Sequence, residues 1–196
     1  MLKCIFAADM QKETQELVDK GEMLPLMEEF YTIQGEGFYK GTAAYFIRIG
    51  GCDVGCHWCD VKESWDAEKH PPTATERIVS EAVKYSKTIV VTGGEPLTWD
   101  MTLLTQMLKA EGAQTHIETS GAYTLTGKWD WICLSPKKLK LPTKEVYEKA
   151  TATQRPKITK RLSLINSMIK SGVRPDWMFL VRIPVIPPAI RPMVAL

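Results

Sequence analysis

A parallel α/β fold is predicted for this 196-residue chain by two observations. Strand-like and helix-like stretches alternate between residues 45 and 134, and three of the strand-like runs end in polar or glycine-rich segments. Composition agrees: 44% apolar and 24% charged residues, with 13 Gly and 12 Pro, are ordinary globular usage and exclude collagen, coiled coil and wholesale disorder. The length suits one domain with a sizeable core. Charges interrupt every apolar run, so no stretch of about 18–20 apolar residues predicts a membrane span. Residues 1–10 also lack the long apolar stretch of a secretory signal. A soluble, cytoplasmic protein is the expectation.

Tyr45–Ile49, bounded by Gly41-Thr42 and Gly50-Gly51, reads as the first strand of this pattern and delivers the loop that follows. Thr75–Ser86 places Ile78, Val79, Ala82 and Val83 on one helical stripe, with Thr73 or Thr75 as N-cap. Thr88–Thr92 is rich in β-formers and stops at Gly93-Gly94. Thr102–Ala110 repeats the helical spacing through Leu103, Leu104, Met107 and Leu108, with Gly112 as its stop signal. Strands are then predicted at Thr115–Thr119, ending in Ser120-Gly121, and at Trp131–Leu134, ending in Ser135-Pro136-Lys137. Ligands of α/β sheets bind beyond the carboxyl ends of strands, so these ends predict one shared site.

Charge divides the chain. Residues 1–149 carry 17 basic and 22 acidic side chains, whereas 150–196 carry 8 basic and 1 acidic, together with six prolines. The basic charges of the tail are scattered, without stacking aromatics or Gly/Arg repeats, so nucleic-acid binding is not expected. We divide the sequence into a variable N-terminal extension (1–22), a core (23–149) and an atypical basic, proline-rich C-terminal segment (150–196).

Five cysteines are an odd number, and three of them stand together in Cys52-Asp53-Val54-Gly55-Cys56-His57-Trp58-Cys59. This CxxxCxxC spacing suits metal ligation in a reducing compartment better than a disulfide framework. Zinc prefers a fourth protein ligand, which a distant Cys4, Cys133, His70 or His116 would have to supply. A [4Fe-4S] cluster held by three cysteines instead leaves one iron open to another ligand. Cys133, between Ile132 and Leu134, reads as a buried core thiol, and Trp99, Trp129 and Trp131 read as packing. His57 and His116 read as non-catalytic, and His70 as loop.

CxxxCxxC with Trp58 just before the last cysteine resembles the cluster motif of the radical S-adenosylmethionine superfamily. Thr92-Gly93-Gly94-Glu95-Pro96, whose first glycine lies 34 residues after Cys59, resembles that superfamily's GGEP segment. Within it, Phe30-Tyr31-Thr32-Ile33-Gln34-Gly35-Glu36-Gly37, with Arg48 twelve residues after Glu36 and four before Cys52, is similar to the entrance segment of the 7-carboxy-7-deazaguanine synthase family. Residues 24–149 carry the resemblance.

The resemblance implies a partial (β/α)6 barrel of parallel strands, with Cys52, Cys56 and Cys59 on a [4Fe-4S] cluster. It implies that Trp58, Asp60, Gly93, Gly94, Glu95, Ser120, Ser135, Pro136 and Lys137 hold S-adenosylmethionine. Ile33, Gln34, Gly35, Glu36, Arg48, Thr92 and Glu118 are implied to hold a carboxylated pterin, Arg48 meeting its carboxylate. The implied reaction is radical conversion of 6-carboxy-5,6,7,8-tetrahydropterin to 7-carboxy-7-deazaguanine with loss of ammonia. An electron donor such as flavodoxin and a homodimeric state come with it.

Two departures stand out. The family places Thr or Ser two residues after the last cysteine as a ligand to Mg²⁺, whereas Val61 stands there and has no side-chain oxygen. The family's closing segment is also missing after Lys149, where composition changes abruptly. These features suggest a divergent or truncated C-terminal part, a reading-frame change being favoured over a natural terminus, with impaired activity as the consequence. Two rival functions remain open. An activating enzyme for a glycyl-radical protein would not need Gln34, Glu36 and Arg48 for a small ring, and a non-catalytic metal-binding module would not cleave S-adenosylmethionine.

Overall fold

The computed structural model describes residues 12–57, 59–137 and 142–152. A helix over 12–19 (α1) precedes β1 (Met23–Ile33) and β2 (Ala43–Ile49). Two short 3₁₀ turns and β3 (Pro72–Ala74) lead into α2 (Thr75–Tyr85), β4 (Thr88–Gly93), α3 (Thr102–Ala110), β5 (Gln114–Thr119) and β6 (Trp131–Leu134). A further helix, α4, covers 144–152. The strands form one open six-stranded sheet in the order β3-β1-β2-β4-β5-β6.

The helices from β4's neighbours onward follow the apolar stripes. Ile78, Val79 and Ala82 of α2 and Leu104 and Leu108 of α3 are buried, packed on Tyr45, Ile47 and Ile49 of β2 and Ile89 and Val91 of β4. Val146 and Ala150 of α4 cover Ile117 of β5 and Ile132 of β6 on the same side. Gly112 follows α3 in the left-handed region (φ 72°), as its role as a stop signal requires.

Several expectations need correction. The strands are not all parallel: β2, β4, β5 and β6 run parallel, but β1 pairs antiparallel with both β2 and β3. The cause is loop length. A hairpin over residues 34–42 joins β1 to β2, closed by Gln34 N donating to Thr42 O and Gly41 N to Gln34 O, both at 2.8 Å, and a parallel pair needs a crossover of a dozen or more residues. Among the described residues the sheet is open and does not close into a barrel. The N-cap of α2 is Ala74, which makes no side-chain cap; Thr75 Oγ1 instead donates to Gly21 O at 2.7 Å, tying the helix start to the end of α1. Of the atypical C-terminal segment, residues 153–196 lie outside the described residues, as do residues 1–11 of the N-terminal extension.

Leu104 of α3 is fully buried in the core that α2 and α3 form with the sheet. Leu104→Ala is expected to lower unfolding stability by about 2–5 kcal/mol, read as a shifted denaturation midpoint at unchanged slope.

Candidate active site

The strand period of two gives the face opposite α2 and α3 two distinct rows. The lower row is Phe30, Phe46, Val90, His116 and Trp131, each opposite the next in register. It is largely apolar: Phe30 stacks on Phe46 at 5.5 Å, and Tyr39 from the 34–42 hairpin leans on His116 and Trp131 at 4.4 and 5.1 Å. One step nearer the carboxyl ends of the parallel strands the row turns polar. Glu28 faces Arg48, Arg48 faces Thr92, and Glu118 faces Cys133.

Glu118 organises this polar row. Its Oε1 accepts from Gln34 Nε2 and its Oε2 from Thr92 Oγ1, both at 2.9 Å. Glu36 N donates to Gln34 Oε1 at 3.1 Å, so the hairpin is stitched to β4 and β5. Both donors to Glu118 are neutral, so its negative charge stays available to ring N–H donors. Gln34, Glu36, Phe38, Glu118, Trp131 and Cys133 line a shared pocket. Arg48 lies beside this network, ion-paired with Glu28 and with its guanidinium 5.5 Å over the Phe30 ring. Ile33 is 63% exposed at the end of β1, outside the pocket lining, and Gly35 is likewise exposed.

Cys133 is the sequence reading that this geometry overturns. It is half-buried and lines the pocket rather than the core, because strand alternation sends Ile132 to the helix side and Cys133 to the other. Burial, then the charges of Glu118 and Glu36, push its thiol up to about 11, partly opposed by Lys137. At neutral pH it therefore presents an uncharged, unreactive S–H to the pocket.

Beyond the polar row, β2 and β4 end in a close backbone crossing. Gly94 N donates to Ile49 O at 2.8 Å and Glu95 N to Gly51 O at 2.9 Å. A side chain at Gly93, whose φ is 127°, would meet Ile49 O at 2.2 Å, and one at Gly94 would meet Gly51 O at 2.3 Å. Only glycine allows this approach. The Glu95 carboxylate is 1% exposed and points inward. It accepts from Leu97 N (3.1 Å), Thr119 Oγ1 (2.5 Å), Ser120 N (2.8 Å) and Ser120 Oγ, fastening the end of β4 to the end of β5. Ser135 N donates to Thr119 O at 2.8 Å and Lys137 Nζ to Ser135 Oγ at 2.7 Å, so the end of β6, through Pro136, joins the same rim. Thr119 is the member sequence reasoning missed; its place between Glu118 and Ser120 in a strand ending was the available signal.

The cysteine loop springs from this crossing. Gly51 N donates to Ser64 O (2.7 Å) and Cys52 N to Trp65 O (3.1 Å), while Trp99 Nε1 donates to Gly50 O at 2.8 Å. Trp99 therefore does more than fill space, and so does His70, whose Nε2 lies 2.8 Å from Glu63 O with its ring against Gly50. Farther out, Tyr123 donates to Asp53, linking the loop to the segment after β5, and Cys59 N donates to Cys56 O at 3.0 Å. All three cysteines are half-buried and reduced. Burial raises the Cys52 thiol most, against a lowering Val54 N–H, and Glu95 and the neighbouring Cys56 and Cys59 push it higher still.

Among the described residues no three His, Cys, Asp or Glu side chains are already drawn around one point. The donor chemistry nevertheless fits an iron–sulfur cluster: three thiols stand on one short loop, and a metal cation would displace the proton that burial helps Cys52 to keep. Asp60 is exposed beside them, and Val61 uses its backbone O to accept from Ser64 Oγ at 2.7 Å. Trp58 lies outside the described residues.

Comparison with known proteins matches residues 46–188 to the family described as the radical SAM superfamily. The 7-carboxy-7-deazaguanine synthase of Flavobacterium psychrophilum is 78% identical over 137 residues, covering 70% of this chain and 65% of that protein. The synthase of the same name from Synechocystis is 50% identical over 124 residues, covering 63% of this chain and 60% of that protein. The chain thus spans about two thirds or less of the length of these relatives. The one from Buchnera aphidicola is 34% identical over 169 residues, covering 74% of this chain and 77% of that protein. The crystal structure of QueE from Escherichia coli superposes with a TM-score of 0.61 at 26% identity, covering 82% of each chain. With its cysteine loop and glycine crossing at adjacent strand ends, and with a family match over most of its length, the chain belongs to the radical SAM superfamily.

Proposed function

We propose that this chain is a carbon–nitrogen lyase of the radical SAM type. It converts 6-carboxy-5,6,7,8-tetrahydropterin to 7-carboxy-7-deazaguanine with loss of ammonia, in queuosine and 7-deazapurine biosynthesis. The observation that carries the reading is the polar row of Arg48, Thr92 and Glu118, joined by Gln34 and set one step from the strand ends that bear the cysteine loop. A row with one guanidinium beside a carboxylate whose partners are neutral suits a flat ring that carries a carboxylate at one end and N–H donors at the other. The similarity to proteins named 7-carboxy-7-deazaguanine synthase supports the same substrate.

In this reading Cys52, Cys56 and Cys59 hold a [4Fe-4S] cluster, and the cluster with S-adenosylmethionine supplies the radical that removes hydrogen from C6 of the pterin. The protein's own part is to bind and orient. Gly93 and Gly94 bring their backbone close to the methionine end of S-adenosylmethionine, and Glu95 holds that segment in place by its bonds to Thr119 and Ser120. Ser120 gives its proton to Glu95, so toward a ribose hydroxyl its oxygen acts as acceptor. Trp58, Asp60, Ser135, Pro136 and Lys137 complete the S-adenosylmethionine side. Glu118 accepts from ring N–H groups, Thr92 and Gln34 fix its two oxygens, and Gly35 and Glu36 of the hairpin lie beside the ring, with Ile33 left outside the pocket. Arg48 meets the ring carboxylate. Close packing by Phe38 and Trp131 excludes water and keeps a reactive radical beside its intended C–H bond. The parallel run β2-β4-β5-β6 belongs, in this reading, to a partial barrel, and the protein works in the cytoplasm as a homodimer supplied by a flavodoxin-like electron donor. Among the described residues no helix is long and apolar enough to cross a membrane.

Anaerobically reconstituted protein, given S-adenosylmethionine, reductant and the carboxylated tetrahydropterin, is expected to yield the deazaguanine by mass. Arg48→Ala should abolish ring turnover. Cleavage of S-adenosylmethionine without any deazaguanine would overturn the substrate assignment. Because Val61 offers no oxygen, Mg²⁺ in this reading is held through substrate, water and Asp60. Turnover should then fall after chelation and return with added Mg²⁺; indifference to the metal would remove it from the mechanism.

A further inference from the structure

The one guanidinium of the polar row is already engaged. Arg48 pairs with Glu28, its register partner across the β1–β2 ladder, and the pair rests over Phe30, with the Arg48 side chain 27% exposed and that of Glu28 45% exposed. On its other side Arg48 faces Thr92, whose hydroxyl is committed to Glu118. A carboxylated ring reaching Arg48 therefore meets a carboxylate that has arrived first. We propose that Glu28 is an internal competitor at this site, an anion that sets how tightly a carboxylated ligand is held. It holds the guanidinium oriented as a stand-in for the ligand's carboxylate, so that a carboxylated ligand is bound only after displacing it.

The physical argument is an exchange. A half-exposed ion pair is weak, so Glu28 keeps the fork oriented over Phe30 without holding it strongly. A ligand with a carboxylate gives Arg48 an equivalent partner, with the added contacts of its ring to Glu118 and Gln34. A ring without a carboxylate leaves the Glu28 pair intact and gains nothing at Arg48. Glu28 also places a negative charge near the incoming carboxylate, which opposes binding until the pair opens. The inference rests on the reading of Arg48 as the carboxylate-binding group.

Equilibrium dialysis of the anaerobically reconstituted protein against pterin-6-carboxylate and against unsubstituted pterin, both detected by fluorescence, tests it. The wild type should favour the carboxylated ring. Glu28→Gln, which keeps shape and removes charge, should tighten pterin-6-carboxylate about three- to fivefold, the scale of a half-exposed ion pair, and leave pterin unchanged. Glu28→Ala should shift in the same direction, and thermal melting of both variants checks the fold. Unchanged or weaker binding of the carboxylated ring by both variants, in a wild type that does discriminate, overturns the role of Glu28 alone. A wild type that binds the two rings equally overturns the reading of Arg48 and the inference with it.

Discussion

The backbone crossing at the ends of β2 and β4 is the constraint on which the site depends. Ile49, Gly50 and Gly51 pass so close to Gly93 and Gly94 that a methyl group on either of the latter would meet backbone oxygen at 2.2–2.3 Å. Two inter-segment hydrogen bonds close the gap, Gly94 N to Ile49 O and Glu95 N to Gly51 O. The loop bearing three cysteines and the segment proposed to hold S-adenosylmethionine thereby share one rigid root. Trp99 and His70 brace it from one side and Ser64 and Trp65 from the other.

A second layer of order comes from Glu95. A buried carboxylate is costly unless its lone pairs are met, and here four donors from two segments meet them. The carboxylate acts as a rivet between strand ends. Function then follows from strand alternation, which places a polar row over an aromatic one and confines charge to the level where strands end. The same alternation explains why Cys133 belongs to the pocket and Ile132 to the core.

Much of this was legible in the sequence. The α3 helix and β6 strand fall where the spacing puts them, at Thr102–Ala110 and Trp131–Leu134, because each has a clear apolar pattern and a glycine or polar stop. β1 was not legible as a strand: Pro25 interrupts it, Glu28 and Glu29 sit in its middle, and its last three residues are exposed. Its direction depends on the length of the 34–42 hairpin, a fact of connection rather than of composition. The three-residue β3 is too short to leave a period at all. Of the site, Gln34, Thr92 and Glu118 are joined by hydrogen bonds, whereas Ile33 stands apart from the pocket that Gln34 and Glu118 line. Glu28 escaped notice because its significance lies in a cross-strand partner, which no linear spacing reveals, whereas Thr119 was within reach from its place between Glu118 and Ser120.

The account's central claim is that the glycine crossing is a fixed element and not a mobile loop, and amide hydrogen exchange at Gly94 and Glu95 addresses it most directly. Their N–H groups should exchange as slowly as that of Val91 in the middle of β4, since both are bonded across the crossing. Exchange as fast as at the exposed Gly55 would contradict the account, because the cysteine loop would then have no rigid root.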